Sequence, residues 1–191
     1  TDCVLITGSN ASGKSTFLRT AAINVLLAQT VHTCMAKAFA APCYRLYTSI
    51  SISDDLLNGE STYVAEIRAL KRIIDAAEVN GTPVIAFTDE ILRGTNTVER
   101  IAAAAQILKY LKEEGVFCFA ATHDVELTVL LRKEYHNYHF TEVVENGEVI
   151  FPYQLKEGRV RLLAGMGYDK KITETAEKMA SDFLEKGVWS C

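Results

Sequence analysis

The chain has 191 residues, 49% of them hydrophobic, with three prolines and a net charge of −4. That length accommodates one domain or slightly more with a full core, and the composition excludes a disordered chain. The mildly acidic balance argues against a broad nucleic-acid clamp built from this chain alone, and leaves open DNA contacts made elsewhere in a longer protein.

The apolar run Cys3-Val4-Leu5-Ile6 reads as a strand that leads into Gly8-Ser9-Asn10-Ala11-Ser12-Gly13-Lys14-Ser15-Thr16. From Lys14 to about Thr30 the residues Phe17, Leu18, Ala21, Ala22 and Val25 recur at helical spacing, so a helix follows the loop. Pro42 breaks an Ala-rich connection, and residues 44–52, rich in aromatic and β-branched side chains, read as a second strand. After a polar turn over 54–60, Ser61 can cap a helix with Tyr63, Ile67, Leu70, Ile74 and Ala77 on one face, ended by Asn80-Gly81. Residues 83–90 form a buried strand that runs into Asp89-Glu90. A Gly94-Thr95 turn then opens a helix with Ile101, Ala104, Leu108 and Leu111 inward. Residues 116–121 are wholly apolar and end at Thr122-His123-Asp124. Between Tyr138 and Phe151, two short strands flank Asn146-Gly147, a hairpin signal. A charged helix with Ile172, Ala176, Met179 and Phe183 as its apolar stripe finishes the chain. Strands without alternation, separated by helices, predict an α/β fold: a mostly parallel sheet with helices on both faces, plus a C-terminal hairpin and helix.

Gly8 to Thr16 match G-x-x-x-x-G-K-[ST] between a strand and a helix, the context a phosphate loop requires. Small residues let successive backbone N–H groups curl around a phosphate at the positive end of a helix. Lys14 would lie against the β- and γ-phosphates and Ser15 would offer its hydroxyl to Mg²⁺. The bland alternative is a Gly/Ser turn that merely joins strand to helix. Asp89 and Glu90 close a buried strand, where the second half of a nucleotide site belongs. Asp89 would hold Mg²⁺, directly or through water, and Glu90 would orient and deprotonate the attacking water. A solvated acid pair is the alternative. His123 could contact the γ-phosphate or the water, or cap the next helix. Ser61 could serve a nucleotide or act as an ordinary N-cap. His32, His136 and His139 form no metal-ligand pattern, and the last two read as surface residues of the hairpin region.

Cys3, Cys34, Cys43, Cys118 and Cys191 include no C-x-x-C pair. Cys3 and Cys118 lie in apolar runs, where a free thiol acts as a small hydrophobe, a pattern that fits a reducing cytoplasm. No apolar run approaches membrane-crossing length and no signal peptide is legible, so no membrane role is expected. The chain starts on the strand that feeds the phosphate loop, which suggests an excerpt of a larger protein.

The order of the phosphate loop, Asn58-Gly59-Glu60-Ser61-Thr62, Thr88-Asp89-Glu90-Ile91-Leu92-Arg93-Gly94-Thr95 and Ala121-Thr122-His123-Asp124-Val125-Glu126-Leu127 resembles the ATPase domain of the MutS DNA mismatch repair family. The likeness covers nearly the whole chain. It implies an ABC-type P-loop ATPase that uses ATP and Mg²⁺ and works as a head-to-tail homodimer with two composite sites. It divides the chain into a nucleotide-binding core, 1–165, and a C-terminal helical dimerisation segment, 166–191. By the same likeness, Asn10 reaches toward the γ-phosphate, Asp89 and Glu90 are the Walker B pair, and His123 is the switch histidine. Ser61 is the signature serine that enters the partner's site, and Tyr153 falls roughly where the family places a ring near the adenine. DNA would be reached through domains absent from this chain. Ser9, Ala11 and Ser12 stand where the mismatch repair proteins usually have Pro, Met and Gly, and residues 162–168 follow the family's C-terminal pattern only loosely. Both departures suggest a divergent branch.

Two other classes share parts of this plan. The nucleotide-binding subunit of an ABC-type transporter would carry an L-S-G-G-Q type signature and a Gln-bearing loop after the second strand, where this chain has Asn58-Gly59-Glu60-Ser61 and Asp54-Asp55. In a nucleotide-gated assembly module hydrolysis would be incidental, and the intact Glu90 speaks against that.

Overall fold

A computed structural model describes residues 2–9, 11–50, 62–93, 96–145 and 148–158, with Glu174, Thr175, Lys178, Met179 and Asp182 beyond them. The elements run β1 (Cys3–Thr7), α1 (Lys14–Thr30), β2 (Arg45–Ser49), α2 (Thr62–Ala77), β3 (Val84–Asp89), α3 (Thr97–Glu113), β4 (Phe117–Thr122), α4 (Leu127–Leu130), β5 (Tyr135–Phe140), β6 (Val143–Glu145), β7 (Glu148–Ile150) and β8 (Leu155–Glu157).

Six strands form one sheet in the order β2-β3-β4-β1-β5-β8. The first five are mutually parallel and β8 adds an antiparallel edge. Strands covered on both faces need apolar residues at every position, which is why β3 and β4 lack alternation. Successive side chains point to opposite faces. Ile6, Ile85, Phe87 and Ala121 therefore meet Leu18, Ala22 and Val25 of α1. Leu5, Ala86 and Ala120 meet Leu70 and Ile73 of α2 and Leu108 and Leu111 of α3 on the other side. Each fully buried Leu, Ile or Phe contributes about 1.5–3 kcal/mol. Among the described residues, Cys3, Cys34, Cys43 and Cys118 are free thiols, and burial pushes the Cys118 thiol up to about 12.

Some local expectations shift. The buried stripe of α2 is Glu66, Ala69, Leu70, Ile73 and Ala76, while Ile67 is 40% exposed. The helix is turned because a carboxylate, Glu66, is taken inside, where it accepts the Leu92 N–H. β5 is a main-sheet strand beside β1, and it precedes the expected hairpin, which is β6 and β7. Its half-buried, polar sequence hides it from a search for apolar runs, and His136 and His139 lie on it rather than in the hairpin region. The second strand is limited to Arg45–Ser49; 51–52 lie outside the described residues. So do Ile172, Ala176 and Phe183 of the final helix, and with them most of the 166–191 segment.

Candidate nucleotide site

Parallel strands end on one edge of the sheet, and here the register brings those ends together. Thr7 stands opposite Thr122, and Asp89 opposite Ala121. The loop after β1, the acids at the end of β3 (Asp89) and just after it (Glu90), and His123 after β4 therefore share one crevice edge, where open α/β sheets bind ligands.

The loop takes backbone forms that favour glycine. Gly8 has φ 152°, and a Cβ there would stand 2.7 Å from Ser12 Oγ and 3.2 Å from the Phe140 carbonyl oxygen. Gly13 has φ 105° and precedes α1, where no side chain caps the first amides. That leaves a helix start suited to an anion. Ser12 Oγ is buried without a hydrogen-bond partner, Ser15 is half-buried, and Ala11 and Thr16 are exposed. The Lys14 ammonium is buried and donates to the carbonyl oxygens of Gly8 (2.8 Å) and Ser9 (2.7 Å). Burial lowers its pKa, and the negative charges of Glu90 and Asp89 oppose that shift. Tyr153 lies against this turn: its Cδ1 is 3.1 Å from where a Gly13 Cβ would stand, and its ring is 65% exposed. Asn10 and Ser61 lie outside the described residues.

Asp89 Oδ1 is buried and has no hydrogen-bond partner, a carboxylate oxygen left for a cation. Among the described residues there is no cluster of three His, Cys, Asp or Glu side chains fit to hold a metal. A hydroxyl and one carboxylate, completed by phosphate oxygens and water, is a donor set that suits Mg²⁺, so Ser15 and Asp89 fit the expected role.

Glu90 leaves β3 in a left-handed conformation, φ 56°, and its N–H donates to the Ala121 carbonyl at 2.9 Å. Its Oε1 lies 2.7 Å from His123 Nε2, and its Oε2 meets Arg93 Nε. His123 does not cap the next helix; the cap residue of α4 is Glu126, and no side chain bonds there. Together these residues border a cleft of about 270 Å³ that Arg100 and Asp124 complete.

Arg100, Arg93 and Glu66 have roles that sequence reasoning did not assign. The Arg100 guanidinium grips Asp124 at 3.0 and 2.6 Å, fixing the residue after His123 to α3. That bond raises the Arg100 pKa. Burial raises the Glu66 pKa against the amides of Leu92 and Arg93 that bond it. A signal for Glu66 existed: it is an acid on the face that carries Tyr63 and Leu70, three residues after one and four before the other.

Comparison with known proteins identifies the family. The family model for MutS domain V matches residues 4–182. The DNA mismatch repair protein MutS of a Geobacillus strain is 36% identical over 184 residues, 94% of this chain and 21% of that protein. MutS of Bacillus subtilis is 37% identical over 178 residues, 91% of this chain and 20% of its own. MutS of Thermus aquaticus is 34% identical over 185 residues, 93% and 22% respectively. The chain thus spans about a fifth of the length of the curated relatives it matches. Among the described residues, no helix is long and apolar enough to cross a membrane. With a P-loop α/β fold, a family model that covers residues 4–182 and relatives 34–37% identical over more than nine-tenths of its length, the chain belongs to the MutS domain V family.

Proposed function

We propose that this chain is the ATP-binding and ATP-hydrolysing domain of a longer cytoplasmic DNA mismatch repair protein. The observation that carries the reading is Glu90, held by His123 and Arg93 at the sheet edge where the phosphate loop begins. ATP binding asks the Lys14 ammonium to exchange the Gly8 and Ser9 carbonyls for β- and γ-phosphate oxygens. The amides from Gly8 to Thr16 cradle the phosphates, with Asn10 toward the γ-phosphate. Ser15 and Asp89 would hold Mg²⁺, which supplies charge neutralisation on the β- and γ-phosphates. Glu90 orients the attacking water and takes its proton as the water oxygen bonds to the γ-phosphorus and the bond to ADP breaks. His123 steadies Glu90 and faces the same water. Tyr153 lies near the adenine.

The head-to-tail homodimer implied by the family likeness brings Ser61 of one subunit to the nucleotide of the other, with 166–191 adding dimer contacts to the 1–165 core. ATP closes the dimer and hydrolysis opens it, shifting a clamp on DNA through domains outside this chain. A second reading is a side branch that kept the motor and acts on branched DNA; it rests on the loose match of residues 162–168 to the family's C-terminal pattern, with the Ser9, Ala11 and Ser12 departures in the loop beside it. Binding of the full-length protein to matched, mismatched and branched duplexes, with and without ATP at a stated salt concentration, separates the two. A mismatch preference that ATP releases supports mismatch repair. Indifference to mismatches, with ATP-dependent binding to branched DNA, supports the side branch. No ATP response on any duplex contradicts both.

A further inference from the structure

The turn that carries Glu90 is held from beneath by a residue that touches neither the nucleotide nor the water in the proposed reaction. Glu66 of α2 is 8% exposed, and its carboxylate accepts the backbone N–H groups of Leu92 and Arg93. Those amides close a turn in which both Glu90 (φ 56°) and Leu92 (φ 60°) are left-handed. Long or branched L residues adopt that backbone only where their surroundings enforce it. The surroundings are countable. The Glu90 amide is tied to Ala121, the Ile91 and Leu92 side chains are buried in the core, and Glu66 takes the amides of Leu92 and Arg93. Releasing them lets the turn relax toward an ordinary conformation and swings the carboxylate one residue away from Asp89 out of line.

We propose that Glu66 is a positioning residue for ATP hydrolysis: by accepting the Leu92 and Arg93 amides it holds the 90–93 turn in the form that aims Glu90 at the attacking water. The inference rests on the reading of Glu90 as the base. What Glu66 supplies is an acceptor oxygen at a fixed reach, and its charge is incidental. A carboxyl that burial favours in the protonated form still presents its carbonyl oxygen, and an amide of the same length does likewise.

The test is steady-state hydrolysis and ATP binding by full-length protein carrying Glu66→Met, Glu66→Gln, Glu66→Asp or Glu90→Ala, with folding followed by thermal melting. Glu66→Met, isosteric without an acceptor, lowers kcat about 10- to 100-fold while the Kd for ATP stays within about threefold. Glu66→Gln recovers kcat to within about threefold of wild type. Glu66→Asp keeps the charge but withdraws the acceptor by one methylene, and it shows a loss of about tenfold, so the test stands even if Glu66→Met melts below the assay temperature. Wild-type turnover in Glu66→Met or Glu66→Asp, or equal losses in Glu66→Met and Glu66→Gln, overturns the proposal. Unimpaired turnover in Glu90→Ala sinks the base assignment instead. An inactive Glu90→Ala beside fully active Glu66 variants sinks only the positioning role.

Discussion

Glu90 Oε1 lies 2.7 Å from His123 Nε2, joining the residue that leaves β3 to the residue that leaves β4. The second carboxylate oxygen is taken by Arg93. A base held at both oxygens has a fixed direction in which to meet a water, and losing one holder costs orientation before it costs binding. His123→Ala is expected to lower kcat about 10- to 100-fold, with ATP affinity within about threefold of wild type. His123→Gln, which keeps a donor toward Glu90, restores part of the loss. Paired turnover and binding titrations check this; affinity falling in step with kcat would make His123 a simple ligand contact.

Arg100 and Asp124 form a two-pronged pair with side chains only 21% and 15% exposed. Removing either partner strands the other in a poorly solvated spot, so Arg100→Ala and Asp124→Ala should each lower unfolding free energy by about 1–3 kcal/mol. In urea denaturation the double variant should fall short of the sum by about 1 kcal/mol or more. Strict additivity would show that the pair contributes no coupling.

Gly13 combines φ 105° with a Tyr153 ring carbon 3.1 Å from the place of a Cβ. Alanine there meets the ring and also carries about 1–2 kcal/mol of left-handed backbone strain. Gly13→Ala is expected to weaken ATP binding about tenfold or more, by equilibrium titration. Adding Tyr153→Ala removes the ring contact but leaves the backbone strain, so the double variant stays weak. Full recovery in the double variant would mean that the ring contact alone was responsible.

Burial raises the pKa of Glu66 above its unfolded value. The folded protein then keeps a proton that the unfolded chain has already lost. This group's contribution to stability is complete below the unfolded pKa and declines as pH rises through the folded one. Glu66→Gln lacks the decline, so it should melt above wild type near pH 7, with the gap closing toward about pH 4. A gap that is constant across that range, or that widens in acid, would contradict the sign.

Much of the fold was legible because β1, β3 and β4 are apolar up to their last one or two residues and their helices keep a helical period, a combination that a covered parallel sheet explains. The MutS domain V match leaves the transporter reading without support. β5 stayed hidden because its half-buried positions tolerate His and Asn, which removes the apolar run that marks a strand. The misplaced stripe of α2 has a different cause: periodicity assumes that acids face water, and Glu66 faces the core because two backbone amides wait for it there.

At the site, sequence spacing named the loop, the acid pair and His123 because each follows a strand end, and parallel strands bring their ends together. It could not assign Arg100 or Arg93 a role, since arginines on or near a helix usually face solvent. The partner of Arg100, Asp124, is set by tertiary approach rather than by local pattern, and Arg93 reaches Glu90, three residues back, only through the left-handed turn that spacing does not reveal.

The most direct test measures ATP binding and ATP turnover on the same preparations of full-length wild-type and Glu90→Ala protein. Glu90→Ala should bind ATP within about threefold of wild type while its turnover falls about 100-fold or more. Undiminished hydrolysis, or binding and turnover lost together, would contradict the assignment of Glu90 as the base of an ATP-hydrolysing site.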